Sequence, residues 1–193
     1  MKCMRMCVAL VMWAMATVAP AMAQRISVEA FGGSAWSANT PLWIEQQGQP
    51  DIHFVAAYET RPFKETWYYA GRIGFWDEHR RTGWMAELLH HKIYLRNTRP
   101  DVQDFRITFG YNIITGNRAW RRGNQQFSAG AGLVLAHPFS TVRGKSFTGT
   151  GRGVRRGVLQ DGFFVAGPAV VAGAGRRIPL ALGFFVSLEA KVS

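Results

Sequence analysis

Seven stretches of this chain place apolar side chains at every second position, with Gly, Ser, Thr or a charge between them. That period belongs to a strand with two unlike faces, and helical spacing is absent from all seven, so the fold class is all-β. The stretches fall near residues 25–33, 67–76, 83–95, 103–114, 125–137, 162–174 and 180–192. Long connections, residues 34–66 and 138–161, alternate with short ones, 77–82, 115–124 and 175–179. Residues 96–102 (RNTRPDV) read as a clipped loop on the long-connection side. Short turns on one side and long loops on the other are the habit of an antiparallel outer-membrane β-barrel, with the turns in the periplasm.

Parity tests the idea. In the fourth stretch Phe105, Ile107, Phe109, Tyr111 and Ile113 oppose Arg106, Thr108, Gly110 and Asn112. In the seventh, Leu180 to Val192 on even numbers oppose Gly183, Ser187, Glu189 and Lys191. Carried through all strands, the rule places Glu29, Glu87 and Glu189 in the lumen with Arg72, Arg106 and Lys191, a balanced set that a narrow interior requires. A soluble sandwich accounts for the alternation too, but its polar face is ordinarily richer in Lys and Glu than these Gly, Ser and Thr positions. Trp84 and Tyr94 share the apolar parity ten residues apart, about 25 Å along a strand tilted by roughly 40°, the height of the band between two aromatic girdles. Trp67, Phe75 and Phe105 are expected in the same belts.

The N-terminus has the form of an export signal. Lys2 and Arg5 precede an apolar run from Val8 to Val18, and Ala21, Met22 and Ala23 make an A-x-A cleavage site, so residues 1–23 read as a signal peptide and residues 24–193 as the barrel domain. Cleavage removes two cations from a net charge of +11, leaving +9, and removes Cys3 and Cys7, the two cysteines of the chain. A mature chain without cysteine excludes thiolate catalysis and Cys-ligated metals.

Seven strands is an odd number, and an odd count leaves unpaired backbone inside lipid. The expectation is an eight-stranded type of barrel lacking its last strand in this chain, with residues 51–59 (DIHFVAAYE) as a strand above the membrane in the first long loop.

Candidate chemistry gathers at the outer half of the third stretch, in Glu87, His90, His91 and Lys92. By parity His91 faces the lumen mouth above Glu87, which orients it, while His90 and Lys92 face outward at the headgroup level, where long cations snorkel to phosphate. A divalent metal would need a third ligand from His53 or His137, and headgroup-level histidines are the plainer reading. Residues 138–160 carry Arg143, Lys145, Arg152, Arg155 and Arg156, five glycines and no acid, a flexible basic arm suited to the phosphates of lipopolysaccharide. An exported barrel does not meet nucleic acid. Arg80, Arg81, Arg118, Arg121 and Arg122 read as solvated turn charges, and Ser128 and Ser187 as lumen-facing by parity, with no nucleophile motif around them.

The order ISVEAFGG, WYYAGRIGFW, GWMAELLHHKIYL, FRITFGYNIITGNRAWR, QQFSAGAGLVLAHP and FFVAGPAVVAGAG resembles small proteobacterial outer-membrane barrels labelled lipid A oxidases. The family's H-x-K and G-x-N-x(2)-T patterns fall on His90 and Lys92 and on Gly110, Asn112 and Thr115, and an AGAG-x(2)-HP-like strand maps onto Ala129 to Gly132 with His137 and Pro138, here with four residues between. The resemblance implies an eight-stranded barrel and, in members that are enzymes, oxygen-dependent oxidation of the proximal glucosamine of lipid A. It also implies a further loop and a last strand ending in an aromatic.

Three readings follow for a monomer in the outer membrane. One is a lipid A-modifying enzyme with His90, His91 and Glu87 as catalytic candidates and Lys92 and the basic arm binding substrate. The second is a non-catalytic barrel that binds lipopolysaccharide. The third is a surface-recognition protein using residues 34–66.

Overall fold

The computed structural model describes residues 24–62, 67–77, 79–148 and 163–193. Residues 1–23, expected to be a signal peptide, and Arg152, Arg155 and Arg156 of the expected basic arm lie outside the described residues. The strands are β1 (Gln24–Gly32), β2 (Thr40–Ile44), β3 (Ile52–Ala56), β4 (Tyr58–Glu59), β5 (Tyr69–Asp77), β6 (Thr82–Leu95), β7 (Val102–Arg122), β8 (Gln125–Val142), β9 (Lys145–Thr148), β10 (Phe164–Pro179) and β11 (Phe185–Val192). Seven of them form an antiparallel meander in the order β1-β5-β6-β7-β8-β10-β11, curled into an incomplete β-barrel.

The seven expected strands are therefore present, and two of the turns fall elsewhere than expected. Residues 115–122 continue β7, and the turn contracts to Gly123 and Asn124, with Gly123 at φ 58°. Residues 175–179 continue β10, and a short 3-10 turn, Ala181–Gly183, makes the reversal. Residues 52–56 do form a strand in the first long connection, paired with β2 in a separate hairpin. The second long connection begins as strand as well: Arg143 and Gly144 turn β8 into β9 at φ 51° and 71°. That hairpin replaces the first part of the flexible arm.

The curl brings inward side chains of the two outermost strands together. Arg72 of β5 reaches Glu29 on β1 (2.6 Å), Glu87 on β6 (3.3 Å) and Glu189 on β11 (2.9 Å), and Lys191 reaches Glu87 at 2.5 Å and Glu189 at 3.2 Å. Five of the six expected lumen charges meet here, and the sixth does not. Arg106 sits beyond a register shift, pairs with Asp104 at 3.4 Å and lies over the Phe139 ring with its side chain 42% exposed. Of the six expected lumen charges, three acids and two bases thus gather in this cluster. Trp76 seals the turn end, with Arg121 over its ring at 3.3 Å; a Cβ at Gly83 would lie 2.9 Å from that ring, so only Gly seats it.

Toward the other end the interior becomes apolar. Ile107, Ile113, Val134, Ala136 and Val171 form one cluster, with Leu89, Ile93, Phe105 and Tyr111 against it. This overturns the expected parity of the fourth stretch, whose Tyr111 and Ile113 face inward while Asn112 faces out. The alternation is present, but its apolar row fills the interior. Beyond it, Ile52, Ala56, Leu95, Val102 and Val142 pack the β2–β3 hairpin onto the ends of β6, β7 and β8 as a cap.

The outer wall is apolar. Ile26, Val28, Ile73, Phe75, Trp84, Leu88, Ile114, Leu133, Val170 and Leu188 are all exposed, far beyond what a soluble surface tolerates as one patch. Tyr94 is not among them. A register shift at Lys92 reverses the parity of β6, and Tyr94 is buried beneath the Arg61 guanidinium at 4.5 Å. Among the described residues no helix is long and apolar enough to cross a membrane, a statement that leaves strands aside.

Candidate functional site

The antiparallel register aligns Tyr69, His90, Asn112 and Leu135 in one row across β5, β6, β7 and β8. Directly paired residues share a face, and two residues nearer the turn end the same face carries Leu88, Ile114 and Leu133, all exposed. The row therefore belongs to the outward wall, at its cap end. Three polar or aromatic side chains here interrupt a wall that is otherwise apolar.

His90 is the centre of the group. Its ring stacks on Tyr69 with centroids 4.7 Å apart and planes at 12°, and its Nδ1 lies 2.8 Å from Asn112 Oδ1. An amide oxygen accepts only, so Nδ1 carries the proton and Nε2 of a neutral ring is left with its lone pair free. That Nε2 is buried without a partner among the described residues. Neighbouring Gly110 has φ 135°, and a Cβ there would fall 2.4 Å from the Asn112 amide. Glycine is thus what lets the amide turn toward His90.

A second imidazole stands on β8, two residues beyond the row. His137 is held between Phe109 and Phe163 at 5.0 and 5.3 Å, and its Nδ1 is also buried without a partner. Tyr69, Phe109 and Phe163 were missed by sequence reasoning, because aromatic residues on an apolar face give no signal of their own. Asn112 had one, an amide in an apolar strand, but the reversed parity sent it to the lumen.

The other expected site residues go elsewhere. His91 faces the interior, as expected, packed between Tyr68 and Tyr111 at 6.1 and 4.9 Å. Glu87 lies on the same face but is committed to Arg72 and Lys191, so it does not orient His91, whose Nδ1 has no partner among the described residues. Lys92 does not snorkel. It occupies the register shift, is 1% exposed and holds its ammonium 5.7 Å from the Tyr68 ring, while the Tyr68 hydroxyl donates to the Lys92 carbonyl at 3.0 Å.

Arg143 is likewise not a free phosphate ligand. It donates to Gln46 Oε1 at 3.0 Å and to the Pro50 carbonyl at 2.6 Å, tying the first long connection to the β8–β9 turn. Lys145 is exposed at the start of β9. His53 lies against Trp43 with ring centroids 4.9 Å apart and planes tilted by 45°, on the exposed side of the β2–β3 hairpin. Among the described residues no group of three His, Cys, Asp or Glu side chains is placed to hold a metal ion. Ser128 and Ser187 face inward as parity requires.

Compared with known proteins, the chain matches no family model, no curated protein and no solved structure. The likeness to lipid A oxidases therefore stands on motif residues alone.

Proposed function

We propose that this chain is an outer-membrane β-barrel that engages lipid A of lipopolysaccharide on its outward wall around His90. The carrying observation is the Tyr69–His90–Asn112 row on the outward wall, a hydrogen-bonded group at the edge of an exposed apolar belt in which Tyr69 is exposed and covers a buried His90. A water-soluble ligand has no reason to be met there. An amphiphile whose sugar and phosphate sit above its acyl chains meets the belt with its chains and the row with its headgroup. Tyr69, 44% exposed, offers a ring for a sugar face, and the His90 ring stacked beneath it holds that face in place.

The resemblance adds a reaction, oxygen-dependent oxidation of the proximal glucosamine. In that reaction the role this row supports is positioning of the sugar against Tyr69, with His90 stacked beneath that ring and Asn112 holding His90 in place. Lipid A from cells with and without the full-length gene, compared by mass spectrometry, tests it: a mass shift abolished by His90→Gln is expected. Identical spectra remove the oxidation. Loss of lipopolysaccharide retention in His90→Gln would still support the binding reading, and unchanged retention would overturn it.

A further inference from the structure

At the opposite end of the same wall the register aligns a second polar row, Arg122 on β7, Gln125 on β8 and Arg176 on β10. The two arginines are exposed and flank Gln125 on its two sides, one strand spacing of about 4.8 Å away on each. Arg122 continues the outward parity of Ile114 and Trp120, and Arg176 that of Val170 and Ala174. The next row toward the middle of the wall is Trp120, Phe127 and Ala174, whose two aromatic rings are 42% exposed. Arg118, one row further, is held on the same face by Thr82 Oγ1 at 2.9 Å and lies over the Trp84 ring at 5.2 Å.

The register sets the separation of the two polar rows. Asn112 and Arg122 are ten residues apart on β7, with β7–β8 register unbroken between them. At about 3.3 Å per residue and a tilt near 40° that is roughly 25 Å along the barrel axis, the apolar thickness of a bilayer. With the His90 row at one boundary, the Arg122 row falls at the other.

We propose that Arg122, Gln125 and Arg176 form a headgroup site for an anionic glycerophospholipid of the leaflet at the turn end, its phosphodiester between the guanidinium groups and its acyl chains along Trp120 and Phe127. Two planar forks with an amide between them suit phosphate oxygens. No acidic side chain stands in the aligned positions of β7, β8, β10 and β11 among the described residues, which run Arg122, Gln125, Arg176 and Leu188. A zwitterionic lipid would bring an ammonium with nothing there to receive it, so the site selects net negative charge.

The inference rests on the strands spanning a bilayer. Full-length protein in detergent micelles doped separately with phosphatidylglycerol and phosphatidylcholine, read by native mass spectrometry, tests it. About tenfold greater retention of phosphatidylglycerol is expected, falling to the phosphatidylcholine level in R122Q/R176Q and unchanged in R80Q/R81Q, whose charges lie in a turn. Equal retention of the two lipids, unchanged retention in R122Q/R176Q, or displacement by millimolar inorganic phosphate would overturn the assignment. A chain that overturns it yet still partitions into a detergent phase leaves the membrane reading intact, whereas one that stays in the aqueous phase overturns both.

Discussion

The two halves of the interior are built from different chemistry. Toward the turn end β7 points Ala119, Asn117 and Thr115 inward, level with the cluster of Glu29, Arg72, Glu87, Glu189 and Lys191. Toward the cap end it points Ile113, Tyr111 and Ile107 inward, into an apolar cluster. The ionic half braces a sheet whose outermost strands, β1 and β11, share no backbone pairing, because one guanidinium gathers carboxylates from β1, β6 and β11. The apolar half is closed by packing and by the cap. Charge crosses a gap that backbone hydrogen bonds do not, and it does so only where every ion has partners.

The comparison breaks first at Arg72. Replacing it by Met leaves three carboxylates with Lys191 alone, and loss of one member of a buried ionic group costs about 3–5 kcal/mol. Denaturant unfolding in detergent, followed by Trp fluorescence, should show this as the largest loss of the set. If R72M unfolds at the same midpoint as the parent, the ions do not hold the curl together. Ile113→Ala tests the apolar half, where a cavity at a residue 3% exposed should cost about 3 kcal/mol. A loss below about 1 kcal/mol would mean that the cap-end interior is wet and the contrast between the halves false.

Gly110→Ala sharpens the comparison at the boundary of the outward site. The residue has φ 135°, and the added carbon meets the Asn112 amide, so strain and displacement together should cost about 2 kcal/mol. His90 then loses its tautomer-fixing partner. Imidazole 15N chemical shifts should show the His90 ring exchanging between tautomers in the variant and held as one in the parent.

How much of this was legible depends on where a residue sits along a strand. The meander, the ion cluster and the outward row of β11 follow from period two, because a two-faced strand cannot bury its charges on the lipid side. The same rule failed at Tyr94, Lys92 and Arg106, each at or beyond a register shift, since one extra residue exchanges the faces of everything after it. Gly110 was the visible mark of such a shift, but as one glycine among many it did not stand out. The rule failed at Ile113 for another reason. Alternation distinguishes two faces without naming them, and an apolar interior reads like an apolar wall. The site around His90 was half legible: the histidine was placed outward correctly, while Tyr69 and Asn112 needed the register of three strands.

The smallest effect separates a strut from an arm. Arg143 was expected to hold phosphate, yet its guanidinium spans two acceptors of the first long connection, Gln46 and the Pro50 carbonyl. Arg143→Ala should cost about 1 kcal/mol, the worth of hydrogen bonds at a partly exposed site. Its clearer signature is local. With the tie cut, residues 45–51 lose their anchor to the β8–β9 turn, and protease cleavage there should quicken severalfold while β5 to β8 stay protected. Lys145→Ala, two residues on and exposed, should leave that cleavage unchanged. Were R143A instead to leave the cleavage rate alone and weaken lipopolysaccharide retention, the guanidinium would belong to the ligand, and the cap would need another explanation for its order.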